Sequence, residues 1–201
     1  MKLPEPFAYP TKPHVRRHGP EGYSEYRHYR NWLRDEFSFR CVYCLRRENW
    51  FAMPRDHELD HFLPKSDHPD VERDYDNLVF ACRQCNGTKA AKYLPSPESV
   101  AYGDCLRVDE AGQIQAKNKH GKKIIKALRL DGADYMRLRR DIIAMVAENK
   151  VGSVGMRRLL GYPEALPDLS KERKPRRNKR PGGIHQSHFA RKQRGELPEY
   201  Y

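Results

Sequence analysis

From Ser24, a candidate N-cap, to about Phe37, apolar and aromatic residues recur at near-helical spacing: Tyr26, Tyr29, Leu33 and Phe37 fall close to one stripe. This predicts a first helix. Asn49 to Met53 and Glu58 to Phe62 are short strand candidates, and Leu78-Val79-Phe80-Ala81 is a brief apolar run. Good helix formers in Thr88 to Lys92 predict a helix from Asn86 to about Tyr93. The middle of the chain therefore reads as helix, two strands, helix.

Beyond Pro95 the pattern changes. Residues 105–108 and 113–116 flank Asp109-Glu110-Ala111-Gly112 and predict a hairpin with Gly in its turn. Ile124, Ile125 and Leu128 suggest a short helix; Leu138, Ile142, Met145 and Val146 mark a longer amphipathic one ending before Gly152. Residues 1–21 are rich in Pro and basic residues and read as an extended arm. The expected division is an arm over 1–21, a core over 22–95, a hairpin and helical extension over 96–165 packed on that core, and a tail over 166–201. Between Lys171 and Arg194 the tail carries ten Lys/Arg and one acid, too little apolar surface to fold alone, so disorder in the free protein is expected.

Composition narrows the class. A chain of 201 residues accommodates one ordinary domain with extensions. Its charged fraction of 33% and hydrophobic fraction of 38% fit a core with polar extensions. A net charge of +12 favours polyanionic partners, nucleic acid before an acidic membrane surface. Neither a signal-peptide run nor a stretch of the ~20 apolar residues that span a membrane is evident, which predicts a soluble cytoplasmic protein.

Five cysteines, two C-x-x-C pairs and a singleton, fit a reducing compartment better than a disulfide framework. Cys41-Val42-Tyr43-Cys44 and Cys82-Arg83-Gln84-Cys85 supply four thiolates, the number that closes a tetrahedral structural zinc site. The 37 residues between the pairs make the expected zinc a staple at the base of an inserted unit. Cys105 is expected to be an inert thiol.

Within that insert, His57-Glu58-Leu59-Asp60-His61 spells the H-E-x-x-H of zinc proteases. On a helix the two histidines share a face about 6 Å apart. On a strand they stand about 13 Å apart, and no single ion reaches both. Pro54 and Pro64 limit any helix here to about two turns, which favours the strand and disfavours the protease reading. Asp60 and His61 can instead serve one site if the strand ends or bulges there.

CVYC, LDHFLPKS and YDNLVFACRQCNGTK, in that order over roughly residues 40–93, resemble the HNH endonuclease family. The resemblance implies an α+β fold: a ββα-metal core with a four-cysteine zinc site, flanking helices and a basic C-terminal tail. By position it makes His61 the general base and Asp60 a metal ligand. Asn77 becomes the residue that holds the His61 loop, and Asn86, where the motif has its last histidine, the second ligand. An amide oxygen suits Mg²⁺ or a similar divalent cation better than an imidazole does. The family pattern implies hydrolysis of phosphodiester bonds, leaving 5′-phosphate and 3′-hydroxyl ends.

DNA is the expected substrate, with RNA open. Lys65, Lys89, Arg173, Lys174, Arg176, Arg177, Lys179 and Arg180 are the expected phosphate contacts, which position a protein without reading sequence. Small bacterial or phage-encoded HNH proteins of this look serve in phage defence, mobile elements and repair, often beside a regulatory or ATPase subunit. The rival reading is a zinc-stapled nucleic-acid-binding module, or a nuclease subunit that needs a partner for activity.

Overall fold

The structure is a computed structural model and describes residues 3–50 and 56–201; the strand candidate at Asn49 to Met53 and Pro54 fall wholly or partly outside them. The chain divides into two compact units, one of residues 16–93 and 163–198, the other of residues 1–15, 94–162 and 199–201. The fold is α+β.

The first unit opens with β1 (Pro20–Glu21), a 3-10 turn over Tyr26–Tyr29 and α1 (Arg30–Glu36). The α-helix is shorter than its apolar stripe because Tyr26–Tyr29 form a 3-10 turn; it stops at Phe37, beyond which Ser38 and Phe39 take positive φ. Next come β2 (His57–His61), β3 (Leu78–Cys82) and α2 (Arg83–Lys89). The strands are antiparallel, with His57 opposite Cys82 and His61 opposite Leu78. All five residues of β3 are buried, as its unbroken apolar run requires of a strand covered on both faces. β2 is half-polar. His57 stacks on its diagonal neighbour Phe80, and Arg30 of α1 lies over the same ring, so α1 covers that face. Glu58 and Asp60 point to the other face, where α2 lies.

The second unit holds α3 (Tyr102–Cys105), the hairpin of β4 (Leu106–Val108) and β5 (Ile114–Ala116), then α4 (Lys119–Leu128), α5 (Ala133–Glu148) and α6 (Val154–Leu160). The hairpin and the helices at 119–128 and 133–148 answer to the sequence pattern. The last helix does not show in it, being a single amphipathic patch behind the Ser153 cap. Gly112 holds φ +79 in the hairpin turn, and the buried Arg139 donates to its carbonyl and to that of Leu130.

Residues 163–198 return to the first unit as β6 (Arg177–Asn178), paired with β1, a 3-10 turn over Pro181–Gln186 and α7 (His188–Gln193). This differs from the expected disordered tail. Polar anchors hold the segment alongside the buried Leu169: His188 donates from its backbone N and Nδ1 to Asp35, 2.8 Å each, and Arg180 makes a two-pronged pair with Asp76. Gly183 presses on Arg17 and His18 so closely that any Cβ would overlap the Arg17 carbonyl.

Candidate active site

The first cysteine pair sits in a knuckle closed by the Arg40–Arg47 bridge, with Leu45 at φ +62. Val42 N donates to the Phe80 carbonyl at 2.9 Å, which pins the knuckle to β3. The second pair begins where β3 turns into α2: the Cys82 sulfur caps the helix by accepting from Cys85 N. Among the described residues this brings four buried sulfurs within 4.8 Å of one another. A tetrahedral zinc with bonds near 2.3 Å needs sulfurs about 3.8 Å apart. Cys44 and Cys82 are 3.7 Å apart, and the set fits zinc. Thiol hydrogen bonds from Cys41 and Cys44 pull the Cys82 thiol well down, and nearby Arg46 also favours its thiolate. Cys105 lies outside this cluster.

On the face between β2 and α2, four polar side chains meet in two pairs. Asn86 donates from Nδ2 to Glu58 Oε2 at 2.8 Å. Lys89 donates to Asp60 Oδ1 at 3.0 Å and to the His61 carbonyl at 2.7 Å. Tyr43, from between the zinc cysteines, donates to the other Asp60 oxygen at 2.5 Å. Burial pushes the Asp60 carboxyl above the ordinary aspartate value, against the opposing pull of Lys89 and Tyr43. Because Asn86 gives its amide nitrogen to Glu58 Oε2, its amide oxygen is turned away from that carboxylate.

His61 is the last residue of β2, on the face opposite Asp60. Its Nε2 lies 3.0 Å from the Glu72 carbonyl and the Tyr26 ring packs edge-on against it, centroids 4.8 Å apart. A carbonyl only accepts, so in the neutral ring Nε2 carries the proton and Nδ1 keeps the lone pair. Burial lowers the His61 pKa from its usual 6.5, with the Glu72 hydrogen bond opposing, so the neutral form prevails at pH 7.

Asn77 links the strand end to the loop beyond it. Its Oδ1 accepts from Leu63 N at 2.8 Å, and its Nδ2 donates to the carbonyls of Leu63 and Val71 at 3.2 and 3.3 Å. With Phe62 N on the Asn77 carbonyl, one side chain and one carbonyl hold the segment that carries His61 away from the sheet.

The oxygen donors on the α2 face, Asp60 with the amide of Asn86, suit a hard divalent cation in chemistry. Each Asp60 oxygen already accepts one hydrogen bond, from Lys89 or Tyr43, so a cation there would share the carboxylate with the Lys89 charge. No hydrogen bond joins Asp60, His61 and Asn86 to one another among the described residues. His57 and His61 stand at the two ends of β2, and His57 is buried with Nε2 on the Arg46 carbonyl. No zinc-protease pair forms.

The cations divide sharply. Lys89 is fully buried, at the last rather than the first turn of its helix, and its charge is committed to Asp60. Lys179 and Arg180 pair with Glu21 and Asp76, and Arg177 lies 3.9 Å from Glu21. Lys65 pairs with Glu72 at 3.7 Å. Arg173, Lys174 and Arg176 are exposed.

The model of the HNH endonuclease family matches residues 41–92, from the first zinc cysteine to just beyond α2. Residues 41–92 are an HNH endonuclease domain. Septu protein PtuB of Bacillus thuringiensis is 27% identical to the chain over 112 residues, 48% of the chain and 38% of PtuB. The chain thus spans well under half the length of that relative. Around the HNH domain, sequence reasoning missed Tyr26, Tyr43, Glu58 and the Glu72 carbonyl as partners of the motif residues. Only Glu58 left a trace: in a strand it shares a face with Asp60 two positions on.

Proposed function

We propose that the protein is a metal-dependent HNH endonuclease that hydrolyses phosphodiester bonds in DNA. The observation that carries this reading is His61 at a strand end, its Nε2–H tied to the Glu72 carbonyl and its Nδ1 lone pair left to take a proton from water. Asn77 keeps that loop in place. Asp60 and Asn86 would hold a Mg²⁺-like ion, which when bound supplies charge stabilisation at phosphorus and at the departing oxygen. A zinc held by Cys41, Cys44, Cys82 and Cys85 would brace the Tyr43 knuckle against the end of β3, and Tyr43 in turn holds Asp60. Exposed Arg173, Lys174 and Arg176, with Lys65 near His61, are the surface cations for backbone phosphates. The test is incubation of the purified protein with plasmid, linear DNA and RNA, with and without Mg²⁺; Mg²⁺-dependent cuts in DNA that leave 5′-phosphates support the reading.

The second reading is a nuclease subunit that works with a regulatory partner. The buried Lys89 ammonium on Asp60 favours it, since a positive charge already paired with that carboxylate opposes a divalent cation until the pair opens. The likeness to Septu protein PtuB makes a phage-defence setting the one to examine first. Activity that appears only in lysate or with co-purified protein would support this second reading.

A further inference from the structure

Beside His61 lies an open cleft of about 460 Å³, within the range of ligand-sized sites. Its walls are the 3-10 turn at Tyr26–Tyr29, with the two residues before it, and the turn at Pro69–Val71 with Glu72 and Arg73. Two of its lining residues also hold the candidate base: Tyr26 packs on the His61 ring and the Glu72 carbonyl takes its Nε2. Whatever fills the cleft therefore lies against the residues that hold His61.

The chemistry of the walls is cationic where it is free. Arg27 and Arg73 are exposed, line the cleft, and have no ion-pair or hydrogen-bond partner for their guanidinium groups among the described residues. Arg34, Arg46 and Arg180 of the same unit are by contrast committed to Glu48, Asp56 and Asp76. Of the two acids in the walls, Glu72 is offset by Lys65 at 3.7 Å, and Glu25 is exposed. In the lining the two arginines balance the two acids, and Lys65 beside Glu72 tips the neighbourhood to positive. Planar guanidinium forks match phosphate oxygens, and Ser24 adds a hydroxyl at the rim. The first wall lies before residue 41 and so outside the matched HNH segment.

We propose that this cleft is a binding subsite for a nucleotide phosphate, gripped by Arg27 and Arg73. That the phosphate adjoins the bond to be cut rests on the nuclease reading given above; that the cleft takes a nucleotide phosphate does not. The phosphate would meet two forks that need no partner exchange, in a cleft that shares Tyr26 and Glu72 with the surroundings of His61. Such a contact anchors the strand without reading its bases.

The test is calorimetric titration of the full chain with thymidine 3′,5′-bisphosphate and, separately, with inorganic phosphate. The wild type should bind the bisphosphate more tightly than inorganic phosphate. Arg27→Ala/Arg73→Ala should weaken bisphosphate binding at least tenfold with an unchanged melting temperature, since neither side chain is buried or paired. His61→Ala should leave that affinity within about twofold. Equal affinity of wild type and double variant overturns the proposal. So does no binding by the wild type, or equal affinity for the two probes, which would make the cleft a free-anion site. Absence of plasmid cleavage with bisphosphate binding intact would count against the nuclease reading and leave the cleft assignment standing.

Discussion

The Lys89 ammonium lies 3.0 Å from Asp60 Oδ1 and donates to the carbonyl of His61, so the last residue of α2 holds both residues at the end of β2. Lys89 is fully buried and Asp60 nearly so. Removing one partner of such a pair leaves an uncompensated buried charge, which costs about 3–5 kcal/mol. Lys89→Met should destabilise by that order, and Asp60→Asn/Lys89→Met should be less destabilised than Lys89→Met alone. Denaturant unfolding of the three proteins checks this; a double variant less stable than Lys89→Met would contradict the pairing.

The cysteine cluster predicts one tightly held zinc per chain. Removing it with a strong chelator, or replacing Cys44 by Ser, should lower the melting temperature sharply, because those buried sulfurs join the knuckle to the junction of β3 and α2. Elemental analysis with parallel thermal unfolding reads both quantities. A metal-free chain of unchanged stability would remove the zinc from the account.

Asn77 makes three side-chain hydrogen bonds that close the loop after His61. Asn77→Ala should cost about 1–3 kcal/mol through the groups left unpaired. Asn77→Asp should do no better, since a carboxylate cannot donate to the carbonyls of Leu63 and Val71. Both should open residues 62–71 to limited proteolysis and reduce cleavage more than nucleic-acid affinity.

What the sequence made legible follows from periodicity and spacing. The C-x-x-C pairs, the apolar run of β3, the hairpin and the amphipathic helices each repeat a simple pattern. The docking of residues 163–198 was hidden because its anchors are single polar contacts across long sequence distances: His188 with Asp35, Arg180 with Asp76, Asn31 with Glu172. No local pattern announces them. Lys89 misled for a related reason. A lysine three residues after Asn86 looks like a surface cation at a helix start, but the Cys82 cap begins the helix at Arg83 and brings Lys89 over Asp60.

The His188 anchor also gives the fold a pH dependence. Burial lowers the pKa of His188, as it does those of His57 and His61, all against an ordinary value of 6.5. Hydrogen bonds from His18 and His188 outweigh burial at Asp35 and hold that carboxylate ionised. Because the folded histidines bind protons less readily than the unfolded chain does, stability falls as pH drops from about 7 through 6.5. His188→Gln lacks one of these groups. The stability advantage of wild type over this variant should therefore narrow between pH 7.5 and pH 5.5 in denaturant titrations. A constant or widening gap would contradict the assignment of a neutral His188.

The central claim is that the His61 imidazole takes the proton from the attacking water. The most direct measurement is the rate of Mg²⁺-dependent plasmid cleavage by wild type and His61→Ala, with DNA affinity measured on the same preparations. A positioned general base contributes about 10²–10⁴ in rate. A loss of that size with binding within about twofold is the expected result, and a His61→Ala protein that cuts at the wild-type rate would contradict the account.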